Sequence, residues 1–130
     1  MLSGPIEQLS IDQRIKVVHA EEVEECHDYL AMQVKGTKLR NKAGMFGTSD
    51  PYFVISRVRE DGAYTPVLRS PTIMNNLSPI WPLQHISAQQ LCNGDMDRPL
   101  KIDIYDWINN GNDIHMGEAV TTARAMVSSS

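Results

Sequence analysis

Oxygen-bearing side chains crowd into one short stretch, Tyr105–Glu118, which reads YDWINNGNDIHMGE. Asp106, Asn110 and Gly111 match the pattern of a helix-loop-helix calcium site, in which oxygen ligands surround a glycine turn. Ile108 stands where that pattern needs another oxygen ligand, and the closing glutamate comes one residue late. The stretch therefore indicates a loop with metal-binding character that is not a complete helix-loop-helix site.

Three aspartates lie beside predicted strands: Asp50 just before one, in GTSDPYF, and Asp106 and Asp113 just after another. In a β-sandwich, loops at one end meet in space even when they are distant in sequence. Carboxylates that meet there repel one another unless a cation lies between them, and calcium accepts about six to eight oxygens in forgiving geometry. The alternative is that Asp50 caps a turn before Pro51 and Asp106 closes a strand. The spacing alone leaves both interpretations open.

Other chemistry is poorly supported. The chain has four histidines and two cysteines, but none has the spacing of a structural zinc site, and Cys26 and His27 are adjacent and point apart on any regular element. No serine lies in a G-x-S-x-G elbow, and no glycine-rich phosphate loop occurs. The sequence therefore predicts neither zinc binding nor an enzyme.

Composition is that of one globular domain. The 130 residues are 42% hydrophobic and 22% charged, and the mean hydropathy is -0.30. The net charge of -4 argues against nucleic acid as a partner. No apolar run approaches the length of about 18 residues that a membrane span needs, and the first residues, MLSGPIEQLS, lack a signal-peptide pattern. We therefore expect a cytoplasmic protein.

The elements that must position these aspartates are predicted to be strands. In LKIDIYDW, Leu100, Ile102 and Ile104 alternate with polar residues, so one face is buried and Asp106 falls on the inward side at the strand's end. Aromatic and β-branched residues mark the others. The predicted strands are RIKVVHA (Arg14–Ala20), YLAMQVK (Tyr29–Lys35), PYFVISRV (Pro51–Val58), YTPVLRS, WPLQHISA and LKIDIYDW.

Turns and helices fill the gaps between these strands. Asp61-Gly62 predicts a hairpin turn, and Pro66 places the returning strand at an edge or a bulge. SAQQLCNG predicts a brief helix that Ser87 caps and Gly94 ends. AEEVEECHDYL is either a helix or a solvated connector. Many short strands with little helix predict an all-β, antiparallel sandwich with one or two short helices.

The motifs SDPY, NNLSPIW and LCNGDMDRPLKI, in this order, resemble a C2 domain, and more narrowly the second C2 domain of copines. The resemblance runs from Arg14 to Thr122. It implies a C2-type sandwich of seven to eight strands at residues 14–127, with an extension at 1–13 and a tail at 128–130. Copines are cytosolic signalling proteins that bind phospholipid membranes in response to calcium, so it also implies a peripheral protein at the plasma membrane. The chain resembles only this part of a copine.

The same resemblance implies a damaged calcium site. In the family, five aspartates on two loops hold the ion. Asp50 and Asp106 match two of them, whereas Gly44 and Ile108 replace two others. Asp113 lies one residue before the position of the last. Because affinity for calcium rises with the number of carboxylates, we expect calcium binding that is weak or lost.

Apolar residues at the loop tips predict contact with lipid. Met45 and Phe46 occupy the first loop and Ile108 the second, where together they would form a small hydrophobic point that enters a bilayer surface. The alternative is that Ile108 packs on Trp107. An anionic phospholipid membrane is the expected partner, since nearby cations would assist: Lys38, Arg40 and Lys42.

The family also uses a basic strand face for anionic lipid. Arg57, Arg59 and Arg69 are candidates for that face here, but Met74 stands where copines usually have a lysine. The resemblance therefore implies a weakened basic patch.

The chain ends where the family has one more strand. A sandwich that is one strand short would leave an unpaired sheet edge, which a protein partner or a second copy can extend. We therefore expect a homo-oligomer or poor solubility. An alternative function follows: a calcium-independent scaffold that binds proteins and has no membrane role.

Overall fold

The structure, a computed structural model, describes residues 14–23, 26–39, 49–108 and 111–129. These residues form seven strands and two short helices. The elements are β1 (Ile15–Val23), β2 (Cys26–Gly36), β3 (Pro51–Val58), β4 (Tyr64–Arg69), β5 (Gln84–Ser87), α1 (Ala88–Cys92), β6 (Leu100–Asp106), β7 (Ile114–Thr121) and α2 (Ala123–Ser129).

The strands form two antiparallel sheets. One has three strands in the order β1-β2-β5, and the other has four in the order β4-β3-β6-β7. Alternation places Leu100, Ile102 and Ile104 of β6 in the core, where each is at most 2% exposed. The predicted sandwich is therefore confirmed.

Trp81 joins the two sheets at the centre of the core. Its side chain is fully buried and meets the ring of Phe53 edge-on, with centroids 5.1 Å apart. Its indole N–H donates to the carbonyl of Pro51 at 3.3 Å, and its backbone N–H donates to the carbonyl of Val34 at 3.1 Å. One residue thus contacts β3 of the four-stranded sheet and β2 of the three-stranded sheet.

The hairpin between β3 and β4 forms as predicted. Gly62 has a φ of 87°, a left-handed value that favours glycine, and the backbone N–H of Arg59 donates to the carbonyl of Ala63 at 2.6 Å across the turn. Pro66 lies in β4, which is an edge strand, next to a register shift. Its missing N–H therefore interrupts little.

Helix α1 also matches its prediction. The Ser87 hydroxyl accepts from the N–H of Gln90 at 3.0 Å and so caps the first turn. Asn93 adopts the left-handed conformation at the C-cap, with a φ of 55°, and Gly94 follows with a φ of 78°. The helix connects the three-stranded sheet to the loop that leads into β6.

Both interpretations of AEEVEECHDYL, helix or connector, are wrong. The stretch supplies the end of β1 and the start of β2, with Glu21 opposite Ala31 and Glu22 opposite Leu30. Glu21 and Glu22 remain exposed while Leu30 is fully buried. Pairing between strands outweighs local helix propensity here, because that pairing buries the apolar face of β2.

The last described element is α2, which follows β7 and packs against β1. The Thr122 hydroxyl accepts from the N–H of Ala125 at 3.1 Å, and Met126 is 1% exposed in the core. Within the described ranges, no helix is long and apolar enough to span a bilayer.

Candidate calcium and membrane loops

Asp50 and Asp106 lie together at one end of the sandwich. The backbone N–H of Asp50 donates to the Asp106 carboxylate at 2.8 Å, and the N–H of Trp107 donates to the Asp50 carbonyl at 2.9 Å. Strand pairing explains the contact, since Pro51 at the start of β3 lies opposite Asp106 at the end of β6. Residues 56 positions apart in sequence are thus joined at one loop cluster.

The Asp106 carboxylate is the buried acid of this cluster. It is 2% exposed, and its second oxygen, Oδ2, has no hydrogen-bond partner among the described residues. A buried carboxylate with an unpartnered oxygen is costly unless a cation or proton compensates it. Asp106 therefore has the chemistry of a cation ligand.

Asp50 has a structural role beside its predicted one. Its Oδ1 accepts from the N–H of Asn75 at 2.7 Å, and this bond ties the loop before β5 to the start of β3. Asn75 has a φ of 53°, so its N–H is presented from a left-handed turn. This bond uses Oδ1 and comes from a residue 25 positions away, so it differs from the predicted cap of a turn before Pro51.

Asp113 closes the loop between β6 and β7. Its Oδ1 accepts from the N–H of Ile108 at 2.8 Å, and its Oδ2 accepts from the Tyr52 hydroxyl at 2.5 Å. The Tyr52 bond, with that from Ile108, lowers the pKa of Asp113, while burial and the Asp113 bond raise the pKa of Tyr52 to about 12. Both oxygens of Asp113 are therefore committed to protein donors.

These carboxylates fit a calcium ion in part. Asp50 and Asp106 adjoin and each keeps one oxygen without a donor among the described residues. Each Asp113 oxygen already accepts one hydrogen bond, so it has fewer lone pairs left for a metal than the other two carboxylates. Ile108 lies between Asp106 and Asp113 in the sequence and is half-buried, and its side chain has no oxygen to offer a metal.

The predicted membrane-contact residues are described only in part. Lys38 is exposed, with a φ of 50°, and its N–H donates to the Ser78 hydroxyl at 3.0 Å. Ile108 is half-buried. The other predicted membrane-contact residues lie outside those that the structure describes: Arg40, Lys42, Met45 and Phe46. Gly44 and Asn110 of the predicted calcium loops lie outside them too.

A groove on the outer face of the four-stranded sheet was not predicted. It has a volume of about 470 Å³, and Tyr52, Arg69 and Tyr105 line it. The Tyr52 and Tyr105 rings stack with centroids 5.5 Å apart, and the Arg69 guanidinium lies 3.9 Å from the centre of the Tyr52 ring. The alternation of side chains in β3 and β6 places both tyrosines on the outer face, and this pattern could have predicted an aromatic surface there.

The three candidate arginines of the basic face have different surroundings. Arg57 donates to the carbonyls of Gln89 and Gln90 in α1, both at 3.0 Å. Arg59 pairs with Asp61 at 2.9 Å in the hairpin turn. Only Arg69 of the three lines the groove.

Comparisons with known proteins agree with this fold. A family model described as "C2 domain" matches residues 28–130. A solved structure named "BON1-C2B" is 30% identical, with a TM-score of 0.65; the match covers 72% of this chain and 63% of that chain. The chain thus spans less than two thirds of that relative.

More distant structures share the fold alone. A C2 domain of RIM from Drosophila is 19% identical with a TM-score of 0.55, over 85% of this chain and 83% of that chain. Human GIVD cytosolic phospholipase A2 is 16% identical with a TM-score of 0.56, over 85% of this chain and 14% of the phospholipase chain.

C2 domains commonly bind calcium and phospholipid membranes, and a single C2 domain is typically non-catalytic. The match to the phospholipase covers too little of that enzyme to carry its activity across. The family match, by contrast, extends over most of the sandwich and both aspartate loops. The chain belongs to the C2 domain family.

Proposed function

We propose that this C2 domain binds anionic phospholipid membranes with a weakened dependence on calcium, as a relative of the second C2 domain of copines. The observation that carries the proposal is the pair formed by Asp50 and Asp106, which join the two loops around a buried carboxylate oxygen that has no partner among the described residues. Their position at the loop end of the sandwich supports a docking role rather than a catalytic one.

The calcium dependence follows from the number of free oxygens. Asp50 and Asp106 would hold the ion, and bound calcium would supply positive charge between these carboxylates and a lipid phosphate. Asp113 is engaged by Tyr52 and Ile108, and Gly44 and Ile108 bring no carboxylate. Two available acids support a site that is filled only well above cytosolic calcium levels.

The lipid contact is assigned to the loop residues. Ile108, with Met45 and Phe46, would enter the bilayer surface, while lysine and arginine side chains attract anionic headgroups. Lys38 is exposed and suits this role. The remaining cations proposed for it are Arg40 and Lys42, and the protein would be cytoplasmic and peripheral at the plasma membrane.

A second candidate function is a protein-binding scaffold without a membrane role. The observation that favours it is the three-stranded sheet, whose order β1-β2-β5 leaves β1 and β5 at its edges. A partner strand can add to such an edge through backbone hydrogen bonds. This candidate needs neither calcium nor lipid.

Co-sedimentation with liposomes tests the two functions. We expect the chain to sediment with anionic vesicles of phosphatidylserine and phosphatidylcholine but not with vesicles of pure phosphatidylcholine. Micromolar calcium should raise the bound fraction only slightly. Strong calcium dependence would contradict the weakened site. Failure to bind either vesicle, with or without calcium, would favour the scaffold.

Ile108→Asp provides the matched variant for this experiment. It restores an acid at the replaced ligand position, so we expect a clear calcium-dependent increase in the bound fraction at the cost of apolar contact without calcium. Ile108→Asn is the control, because it removes the same apolar side chain without adding charge. Equal behaviour of the two variants would argue against a cation site between these loops.

A further inference from the structure

A second set of metal-ligand side chains lies on the outer face of the four-stranded sheet. Asp103 of β6 lies opposite Glu118 of β7. Two residues further along β6, Tyr105 lies opposite His115. The Asp103 Oδ1 and His115 Nε2 atoms are 2.8 Å apart, and one ligand atom from each of Asp103, His115 and Glu118 lies within 4.8 Å of the others. Among the described residues, this is the one such group of three.

An irregularity in the strand pairing creates this group. His115 and Glu118 are three residues apart, and in a regular strand residues at that spacing point to opposite faces. The register shifts between Ile104 and Tyr105, so β7 contains one extra residue there. Met116 is buried, at 3% exposure, while His115 remains exposed on the outer face with Glu118. Bulges of this kind often re-aim a side chain beside a functional site.

Asp103 is unusual for an outward-facing residue because it is only 6% exposed. Its nearest cation is Lys101, whose Nζ lies 3.8 Å from Oδ2, too far for a hydrogen bond. Its Oδ1 faces His115. A largely buried carboxylate beside an imidazole and a second carboxylate is chemically suited to a metal ion.

We propose that Asp103, His115 and Glu118 form a Zn²⁺ site. Zinc accepts imidazole nitrogen and carboxylate oxygen together, and ligands around a tetrahedral zinc ion lie about 3.4 Å from one another. That spacing is below the 4.8 Å within which the three ligand atoms lie. Calcium prefers an all-oxygen shell, so the histidine directs the site away from it. Three protein ligands leave one position for water or another ligand.

This site is separate from the calcium loops. Asp103 and Asp106 are three residues apart on β6, which is about 10 Å along the strand, and their side chains leave opposite faces of the sheet. The sequence prediction against zinc relied on ligand spacing within one segment. Here the ligands come from two paired strands. The bulge places His115 and Glu118 on one face although their spacing of three residues predicts opposite faces.

Calorimetric titration of the whole chain with zinc chloride, in the absence of calcium, tests the site. We expect one zinc ion per chain, and we expect His115→Asn and Glu118→Gln each to weaken binding by about tenfold or more. His85→Asn is the matched control, since His85 is exposed on β5 of the other sheet. It should leave the titration unchanged.

A spectroscopic measurement separates this site from loose surface binding. Co²⁺ in place of zinc should give the intense visible absorption of tetrahedral coordination in the wild type, and His115→Asn should abolish it while circular dichroism shows an intact fold. Excess calcium should leave the spectrum unaltered. The proposal is overturned by zinc binding that survives both ligand variants, by equal weakening in His85→Asn, or by no stoichiometric binding.

Discussion

At the scale of single residues, Tyr52 connects the aspartate loops to the outer face of the four-stranded sheet. Its hydroxyl donates to Asp113, its ring stacks on Tyr105, and the Arg69 guanidinium lies over that same ring. The tyrosine thus joins the β6–β7 loop to the groove on the outer sheet face. Its hydroxyl forms the hydrogen bond, and its ring forms the aromatic and cation–π contacts.

Tyr52→Phe removes one hydrogen bond and leaves the ring in place. We expect the free energy of unfolding to fall by about 1 kcal/mol at neutral pH, because Asp113 loses a donor. The measurement is urea unfolding followed by circular dichroism. Tyr29→Phe is the control for loss of an exposed tyrosine hydroxyl. An unchanged stability of Tyr52→Phe would show that water replaces the bond.

The pH dependence of this difference has a definite sign. Folding raises the pKa of Tyr52 from 10.0 to about 12, so its contribution is present below pH 10 and is lost as the pH rises toward 12. Folding lowers the pKa of Asp113 below its ordinary 3.8, so that contribution is lost as the pH falls through the acid range. The free energy of unfolding of the wild type should therefore exceed that of Tyr52→Phe most clearly at pH values between the acid range of Asp113 and the alkaline range of Tyr52.

At the scale of elements, arginine side chains connect different pairs of segments. Arg57 of β3 fixes the end of α1 through two carbonyls, a favourable place for a cation because the helix dipole is negative there. Arg69, at the end of β4, instead lies over an aromatic ring in the groove. One arginine is therefore structural, and the other is available to an anion.

Methionine substitutions separate these roles. Arg57→Met should lower the free energy of unfolding by about 1 kcal/mol and leave co-sedimentation with anionic liposomes unchanged. Arg69→Met should reduce that co-sedimentation with a smaller effect on stability, since it removes a cation from the groove. Each variant serves as the control for the other. The reverse pattern would show that the groove takes no part in lipid binding.

The sequence predicted the elements well where side chains alternate regularly. β3 and β6 are found at their predicted places because apolar residues of period two and turn residues agree. The end of β1 was missed because its glutamates resemble a solvated connector, whereas its strand conformation depends on pairing with β2. The Asp103 group was missed because a bulge, which depends on pairing with another strand, sets which side chains share a face.

The calcium loops show the same limit. The meeting of Asp50 and Asp106 followed from their places beside strands, and the structure joins them. Their hydrogen-bond partners were not predictable, since Asn75 and Tyr52 come from elements whose approach depends on the packed sandwich. Sequence reasoning identified candidate ligands but not which oxygens remain available.

At the scale of the whole molecule, the two sheets differ in their number of strands. The described residues contribute three strands to one sheet and four to the other. Edge strands attract further strands unless they are covered or charged. We therefore expect copies of the chain to associate through the sheet edges rather than through the loops.

Light scattering coupled to size-exclusion chromatography tests that association. We expect the measured mass to rise with concentration toward twice the 14.6 kDa of one chain, because an added strand satisfies backbone groups along a sheet edge. The liposome experiments are then interpreted per dimer. A single monomeric peak at every concentration would contradict edge pairing.

The core position of Trp81 has a practical consequence for the unfolding and liposome measurements. The chain has two tryptophans; Trp81 is fully buried between the sheets, and Trp107 is half-buried beside Ile108 at the loops. Their emission arises from different surroundings, so replacing either with phenylalanine leaves a single tryptophan, which can be excited apart from the tyrosines. Trp81 would then report the unfolding of the sandwich, and Trp107 would report events at the docking loops. The protein carries an intrinsic optical probe for each process, without any added label.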